Sequence, residues 1–291
     1  MGSVKARNVK TMSGAIFRQA RRFDLSKALV WASRLGYAAR GVVYVGLGAI
    51  VLLAAVDLTP RARGAKALLA VWAQWSLGQV IIAVVGLGLL GFAAWRALQA
   101  ILDADRHGTS PKAWAIRIGQ AISGFIYGGL ALWAFELLDA FEDVGEVDEE
   151  TKANGMAAAA MALPHGDLLV LLAGLVMIGF GVGNIIQGLA QDLGKRLKCS
   201  DEVCRFVVPL GKIGYCARGL AVLPAGLFLI KAGLDARSSD ARSWGGALQA
   251  VEQQPYGSWV VGLVALGLIA FGLFGFVEAA YRGIRPPPEI G

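Results

Sequence analysis

Six apolar runs constrain this chain more than anything else in it. They cover 35–56, 77–101, 117–138, 166–190, 212–234 and 257–281. A bilayer core takes about 20 helical residues to cross. Within it every backbone polar group must be satisfied inside the spanning structure, which leaves helices or closed barrels. Barrel strands would alternate over about 10 residues, and these runs do not alternate. The sequence therefore predicts an all-α integral membrane protein of six transmembrane helices. Composition agrees: 56% of residues are hydrophobic and 17% charged, against about 45–50% and about 25% in soluble domains. Two histidines and three cysteines in 291 residues exclude a disulfide scaffold and a histidine-rich metal enzyme.

Lysine and arginine in the loops set the expected orientation. Eight lie in the arm up to Arg34, three at Arg106, Lys112 and Arg117, five from Lys195 to Lys212, and two at Arg282 and Arg285. Those eighteen fall on one side, against six on the other: Arg61, Arg63, Lys66, Lys152, Arg237 and Arg242. The expectation is a multi-pass inner-membrane protein with both termini cytoplasmic. The asymmetry accounts for the net charge of +7 without a nucleic-acid partner. Residues 1–33 read as a basic arm against anionic inner-leaflet lipids. Ile16, Ala20 and Phe23 fall near helical spacing, which fits an interfacial helix or plain disorder. Arg21-Arg22-Phe23 has the look of a twin-arginine signal, but Lys27 and Arg34 flank only Ala28 to Ser33, too short a segment for one.

The chain repeats itself three times. The odd helices open on Arg34-Leu-Gly36-Tyr-Ala-Ala-Arg40-Gly41, Arg117-Ile-Gly119-Gln-Ala-Ile-Ser123-Gly124 and Lys212-Ile-Gly214-Tyr-Cys-Ala-Arg218-Gly219. The even helices open at Gly78, Gly166 and Gly257, with Phe92, Phe180 and Phe271 in one shared register and Gln99, Gln187 and Glu278 in another. Repeats of equal orientation relate through an axis along the membrane normal. The expected architecture is three parallel-related helical hairpins about a pseudo-threefold axis: 34–103, 117–192 and 212–283, with a tail at 284–291. Short helix-capable stretches at 66–74, 156–162 and 247–253 precede the even helices and are expected at the outer surface.

The Gly-Tyr-Ala-Ala-Arg-Gly block at 36–41, its echo at 214–219 and Pro-Tyr-Gly at 255–257 resemble a bacterial integral membrane family built on a thrice-repeated two-helix domain of unknown function. The resemblance covers about 34–282. It implies the fold and carries no activity, cofactor or site residues. The second repeat departs from it, with Gln120 in place of the tyrosine and Ser123 in place of the arginine.

Several motifs have bland readings. Gly86-Leu-Gly88-Leu-Leu-Gly91 matches a dinucleotide fingerprint by letter, but no strand precedes it and it sits inside an apolar helix run. It reads as helix packing, as do Gly124-Phe-Ile-Tyr-Gly128 and Gly179-Phe-Gly-Val-Gly183. His165 shares its register with Leu77 and Tyr256, which argues against a metal ligand. Cys199 and Cys204 lack the further ligands of a zinc site and are expected as free thiols in a cytoplasmic loop. The acidic stretch from Asp139 to Glu150 reads as a solvated outer loop. No cofactor or metal is implied.

Charged groups within membrane spans default to functional hypotheses. Arg40 and Arg218 are equivalent, as are Arg96 and Asn184, and Gln99, Gln187 and Glu278. Together they form either a polar ring in the inner half of the membrane, with Arg96 paired to Glu278, or a belt whose arginines snorkel to the interface. Glu136 and Lys231 form a candidate outer ion pair, and Pro224 a helix-deforming site. No nucleophile–base pair or phosphate loop stands out, so the chain reads as a non-enzymatic accessory or structural membrane component that binds other membrane proteins. A channel or transporter for a small ion or solute, using the polar ring, is the alternative.

Overall fold

The computed structural model describes residues 30–58, 64–75, 77–103, 105, 108–139 and 149–283. The basic arm to residue 29 and the tail from 284 lie outside them. Nine α-helices are described: α1 Val30–Ala55, α2 Ala65–Ala73, α3 Gly78–Leu102, α4 Pro111–Asp139, α5 Glu149–Met161, α6 Gly166–Ala190, α7 Asp201–Leu234, α8 Trp244–Glu252 and α9 Gly257–Tyr281. Helices α1, α3, α4, α6, α7 and α9 are long and apolar enough to cross a membrane. Among the described residues there is no strand, only one isolated bridge between Leu197 and Arg282.

The odd spanning helices α1, α4 and α7 begin earlier than the apolar runs, whereas α3, α6 and α9 start within a residue of them. Helix α4 starts at Pro111, where the Ala113 amide donates to Ser110 Oγ at 3.2 Å. Helix α7 starts at Asp201, so Arg205 and Lys212 lie on a helix rather than in a loop. The charged first turns hid these extensions from hydropathy. Asp201 and Glu202 suit a helix N-terminus through its dipole. Pro209 and Pro224 both lie inside α7, and the helix runs through them unbroken. Cys199 and Cys204 are bonded, not free: one precedes the N-cap and the other lies in the first turn, with Cα atoms 5.8 Å apart, within disulfide reach.

One neighbour relation recurs in all three repeats. Each odd helix packs on the even helix of the preceding repeat through glycine. A Cβ built on Gly41 in α1 would lie 2.7 Å from the Gly272 carbonyl of α9, and one on Gly219 in α7 would lie 2.5 Å from the Gly181 carbonyl of α6. At the equivalent site, Gly124 of α4 faces Ala93 and Arg96 of α3. In repeats one and two a basic residue near the start of the odd helix also caps the same neighbour. Arg34 donates to the carbonyls of Ala279 and Ala280 at 2.6 Å each. Arg117 donates to those of Ala100 and Ile101 at 2.7 and 2.8 Å. Cations there satisfy the orphaned C-terminal carbonyls and complement the helix dipole.

Contacts within a repeat are not threefold. In repeat one, Gly36 abuts Phe92 and Ala39 abuts Gly88; in repeat three, Gly214 abuts Phe271 and Ala217 abuts Gly267. In repeat two these places hold Gly119, Phe180, Ile122 and Val176. Among the described residues nothing lies within 4 Å of a Cβ on Gly119, and α4 and α6 do not pack together. Two branched side chains stand where the other repeats set alanine into glycine, and backbones cannot approach across that bulk. The expectation that Gly179 and Gly183 pack against a helix fails with it: open space surrounds both.

At the other end of the bundle lie the short helices. Gly78, Gly166 and Gly257 each start an even helix just after one, and a Cβ on any of them would collide with the carbonyl oxygen of Trp72, Ala160 or Val251 respectively. Close backbone approach explains why all three repeats keep glycine there. His165 and Tyr256, the residues before two of them, are left-handed at φ 57° and 62°.

Gly257→Ala should therefore destabilise the protein by about 1–3 kcal/mol through overpacking. Gly179→Ala, into open space, should melt within about 1 °C of the parent or higher, since alanine is the better helix former. Thermal unfolding in detergent distinguishes them.

Candidate functional site

The bundle centre combines aromatic rings with guanidinium groups. Tyr37, Phe92, Tyr127, Tyr44, Phe271 and Tyr215 meet edge to face, with ring centroids 4.7–5.1 Å apart. Tyr127 and Tyr44 also meet through their hydroxyls at 3.3 Å. Arg40 is 1% exposed and lies 4.8–5.2 Å from the Phe271, Tyr37 and Phe92 ring centres. Each such contact contributes up to about 2 kcal/mol when desolvated.

Glu278 meets this charge. Its Oε2 accepts from Arg40 Nη2 and its Oε1 from Arg282 Nη1, one turn further along the chain. Arg282 also reaches Asp105 at 3.7 Å. Asp105 accepts from Gln99 Nε2 at 2.6 Å and from Gln120 Nε2 at 3.2 Å. Gln99 in turn accepts from Arg96 Nη1 at 3.1 Å. One buried network thus runs from α1 through α9 and the loop after α3 to α4.

Pairing of Arg96 with Glu278 is corrected by these contacts. Helix α9 packs on α1, not on α3, so Arg40 reaches the carboxylate and Arg96 reaches only the Gln99 amide. Arg218 is 7% exposed, donates to Asn184 Oδ1 at 3.3 Å and lies against Phe180, Phe271 and Tyr44. Neither Arg40 nor Arg218 snorkels out. Gln187 stays half-buried on α6, the least buried of the spanning helices. The Glu136–Lys231 pair does not form: Lys231 lies 3.1 Å from Asp240 and 3.9 Å from Asp235 of its own repeat, while Glu136 is exposed. Local carboxylates a turn or a short connection away outcompete one on a helix that does not pack beside α7. Pro224 sits half-buried within α7, away from the charged network.

Sequence reasoning missed four participants. Arg282 counted only as a tail charge, although its spacing of four residues from Glu278 was a readable signal. Asp105 gave no signal from its loop. Glu149 and Glu150 read as solvated, yet Glu149 accepts from the amides of Gly64 and Ala67 at 3.0 and 3.4 Å, capping α2. Glu150 accepts from the Ser243 amide at 3.0 Å, at the start of α8. These carboxylates tie the short helix of repeat two to those of repeats one and three.

Comparison with known proteins agrees with the repeat pattern. The profile of the Domain of Unknown Function DUF1206 matches three times, at 35–103, 118–191 and 213–282. The uncharacterized protein YxxB of Bacillus subtilis (strain 168) is 29% identical over 252 residues, covering 86% of this chain and 90% of that protein. No solved structure matches.

Glu278→Gln should cost about 3–5 kcal/mol, because Arg40 keeps its charge with no buried counter-ion and Arg282 is left with Asp105 alone. Adding Arg40→Met should recover part of that loss, whereas adding Arg96→Met should not. Chemical or thermal unfolding of the four proteins in one detergent measures it.

Proposed function

Because the chain belongs to the DUF1206 family, defined by a domain of unknown function, its role is read from its own geometry, and we propose a non-enzymatic accessory or structural component of the cell inner membrane, multi-pass, with both termini cytoplasmic. One observation carries this reading. Arg40, the most deeply buried charge, is bonded to Glu278 and enclosed by three aromatic rings. A conduction path needs polar groups that exchange partners with a passing ion. Here Glu278 already holds two guanidinium groups, and Tyr37, Phe92 and Phe271 are buried against them. The arrangement favours a rigid, charge-locked scaffold over a channel. Its exposed apolar surface, large on α6, is available to lipids and to other membrane proteins.

The orientation rests on the eighteen-to-six distribution of lysine and arginine. The three short helices, with Glu149 and Glu150 among them, then face the cell exterior. The arm before residue 30 supplies basic charge for anionic lipids of the inner leaflet.

In proteoliposomes the protein should release trapped ions or small solutes no faster than protein-free vesicles. Release above that level, altered by Arg40→Gln, would favour the channel instead. In a variant without its three native cysteines, a cysteine at position 149 should react with an impermeant maleimide added outside intact cells. Reaction only after the cells are opened would reverse the orientation.

A further inference from the structure

Repeat two differs from its neighbours in two ways that meet at one place. Its helices α4 and α6 stand apart, and it lacks the arginine of its register. The faces that are closed in repeats one and three are open here. Val43 and Ala221 are buried, but their equivalent Ile126 is 52% exposed. Gly88 and Gly267 are buried, but Val176 is 55% exposed. Phe92 and Phe271 are fully buried, but Phe180 is only half-buried. The result is an apolar opening between α4 and α6, on the side of the bundle within the spanning region.

Polar groups border its inner end. Ser123, on α4, stands where the other repeats place Arg40 and Arg218, and its buried hydroxyl has no protein partner. Across the cleft on α6, Asn184 holds Arg218, whose Nε also has no partner. Arg96 of α3 lies against Gly124, one residue from Ser123, and its guanidinium stacks on Phe92 with Nε unpartnered.

Charge does not balance there. Glu278 is taken by Arg40 and Arg282, and Asp105 by Arg282 with two amides. Arg218 has no carboxylate partner among the described residues, and Arg96 reaches one only through Gln99. A buried unpaired guanidinium is costly, and a bound anion removes that cost. Guanidinium groups bind phosphate oxygens through directed, charge-assisted hydrogen bonds. An anion reaching this end through an apolar cleft in the spanning region must carry hydrocarbon behind it.

We propose that the cleft between α4 and α6 binds a membrane lipid with an anionic phosphate head group, its acyl chain along Ile126 and Val176 and its phosphate between Arg218 and Arg96, beside Ser123. Asn184 then orients Arg218 through the bond it already makes. Ser123 supplies a hydroxyl donor where a third arginine would have filled the space.

Native mass spectrometry in a mild neutral detergent, with phosphatidylglycerol or phosphatidylcholine added at equal concentration, tests this. Phosphatidylglycerol should be retained about tenfold better. Arg218→Gln should abolish that preference. Because Arg218→Gln also removes contacts in the core, Gly183→Leu is the second variant. A Cβ at residue 183 meets no described residue within 4 Å, so the new side chain enters the opening without displacing the fold. It should keep the parental melting temperature and lose bound phosphatidylglycerol. Equal retention of the two lipids overturns the proposal. So does retention of phosphatidylglycerol by Gly183→Leu. Stabilisation by inorganic phosphate equal to that by the lipid would show a free-anion site, and a dimer broken by Gly183→Leu would show that a second copy fills the cleft. Either overturns it too.

Discussion

A guanidinium can stay inside an apolar bundle only if its charge is met there, and the contact between Arg40 and Glu278 does this. It joins the first spanning helix to the last, closing repeat one on repeat three. Arg282 shares the same carboxylate and carries the network outward to Asp105, Gln99 and Gln120. Around Arg40 the rings of Tyr37, Phe92 and Phe271 replace water with π-faces. Helix registers in repeats one and three follow from the need to bring these groups together, because Phe92, Phe271 and Glu278 each lie on a different helix from Arg40.

Glycine makes that convergence possible. Arg40 reaches Glu278 because Gly41 and Gly272 let α1 and α9 approach at backbone distance. The same device recurs between Gly219 and Gly181. Where the small residues are lost, the approach is lost with them: Ile122 and Val176 keep α4 and α6 apart. The repeat with the bulkier seam is also the one without the central arginine and its tyrosine. With Ser123 and Gln120 in their places, no buried cation on α4 has to be enclosed, so the sequence tolerates an open side there.

Much of this was legible in the sequence because membrane spans and repeats leave periodic signals. The six long helices, the short helices before the even ones and the shared registers of Phe92, Phe180 and Phe271 all follow from spacing. Partner identity did not, because repeat register gives depth along the axis and not the order of helices around it. Register placed Arg96 and Glu278 at similar depth, yet helix order gave the carboxylate to Arg40. The capping roles of Arg34, Glu149 and Glu150 were hidden for a similar reason: each cap serves a helix distant in sequence, while Arg117 caps the helix just before its own. The opening in repeat two was present in the letters, as isoleucine and valine replacing alanine and glycine at one crossing.

Cysteine cross-linking across the equivalent crossings of repeats one and two tests this account most directly. In a background without the native cysteines, Ala39→Cys with Gly88→Cys should cross-link readily under mild oxidation in membranes, since these residues touch across α1 and α3. Ile122→Cys with Val176→Cys should not. Equal cross-linking of both pairs would mean that repeat two closes like its neighbours, and would contradict the claim that its bulkier residues hold the bundle open.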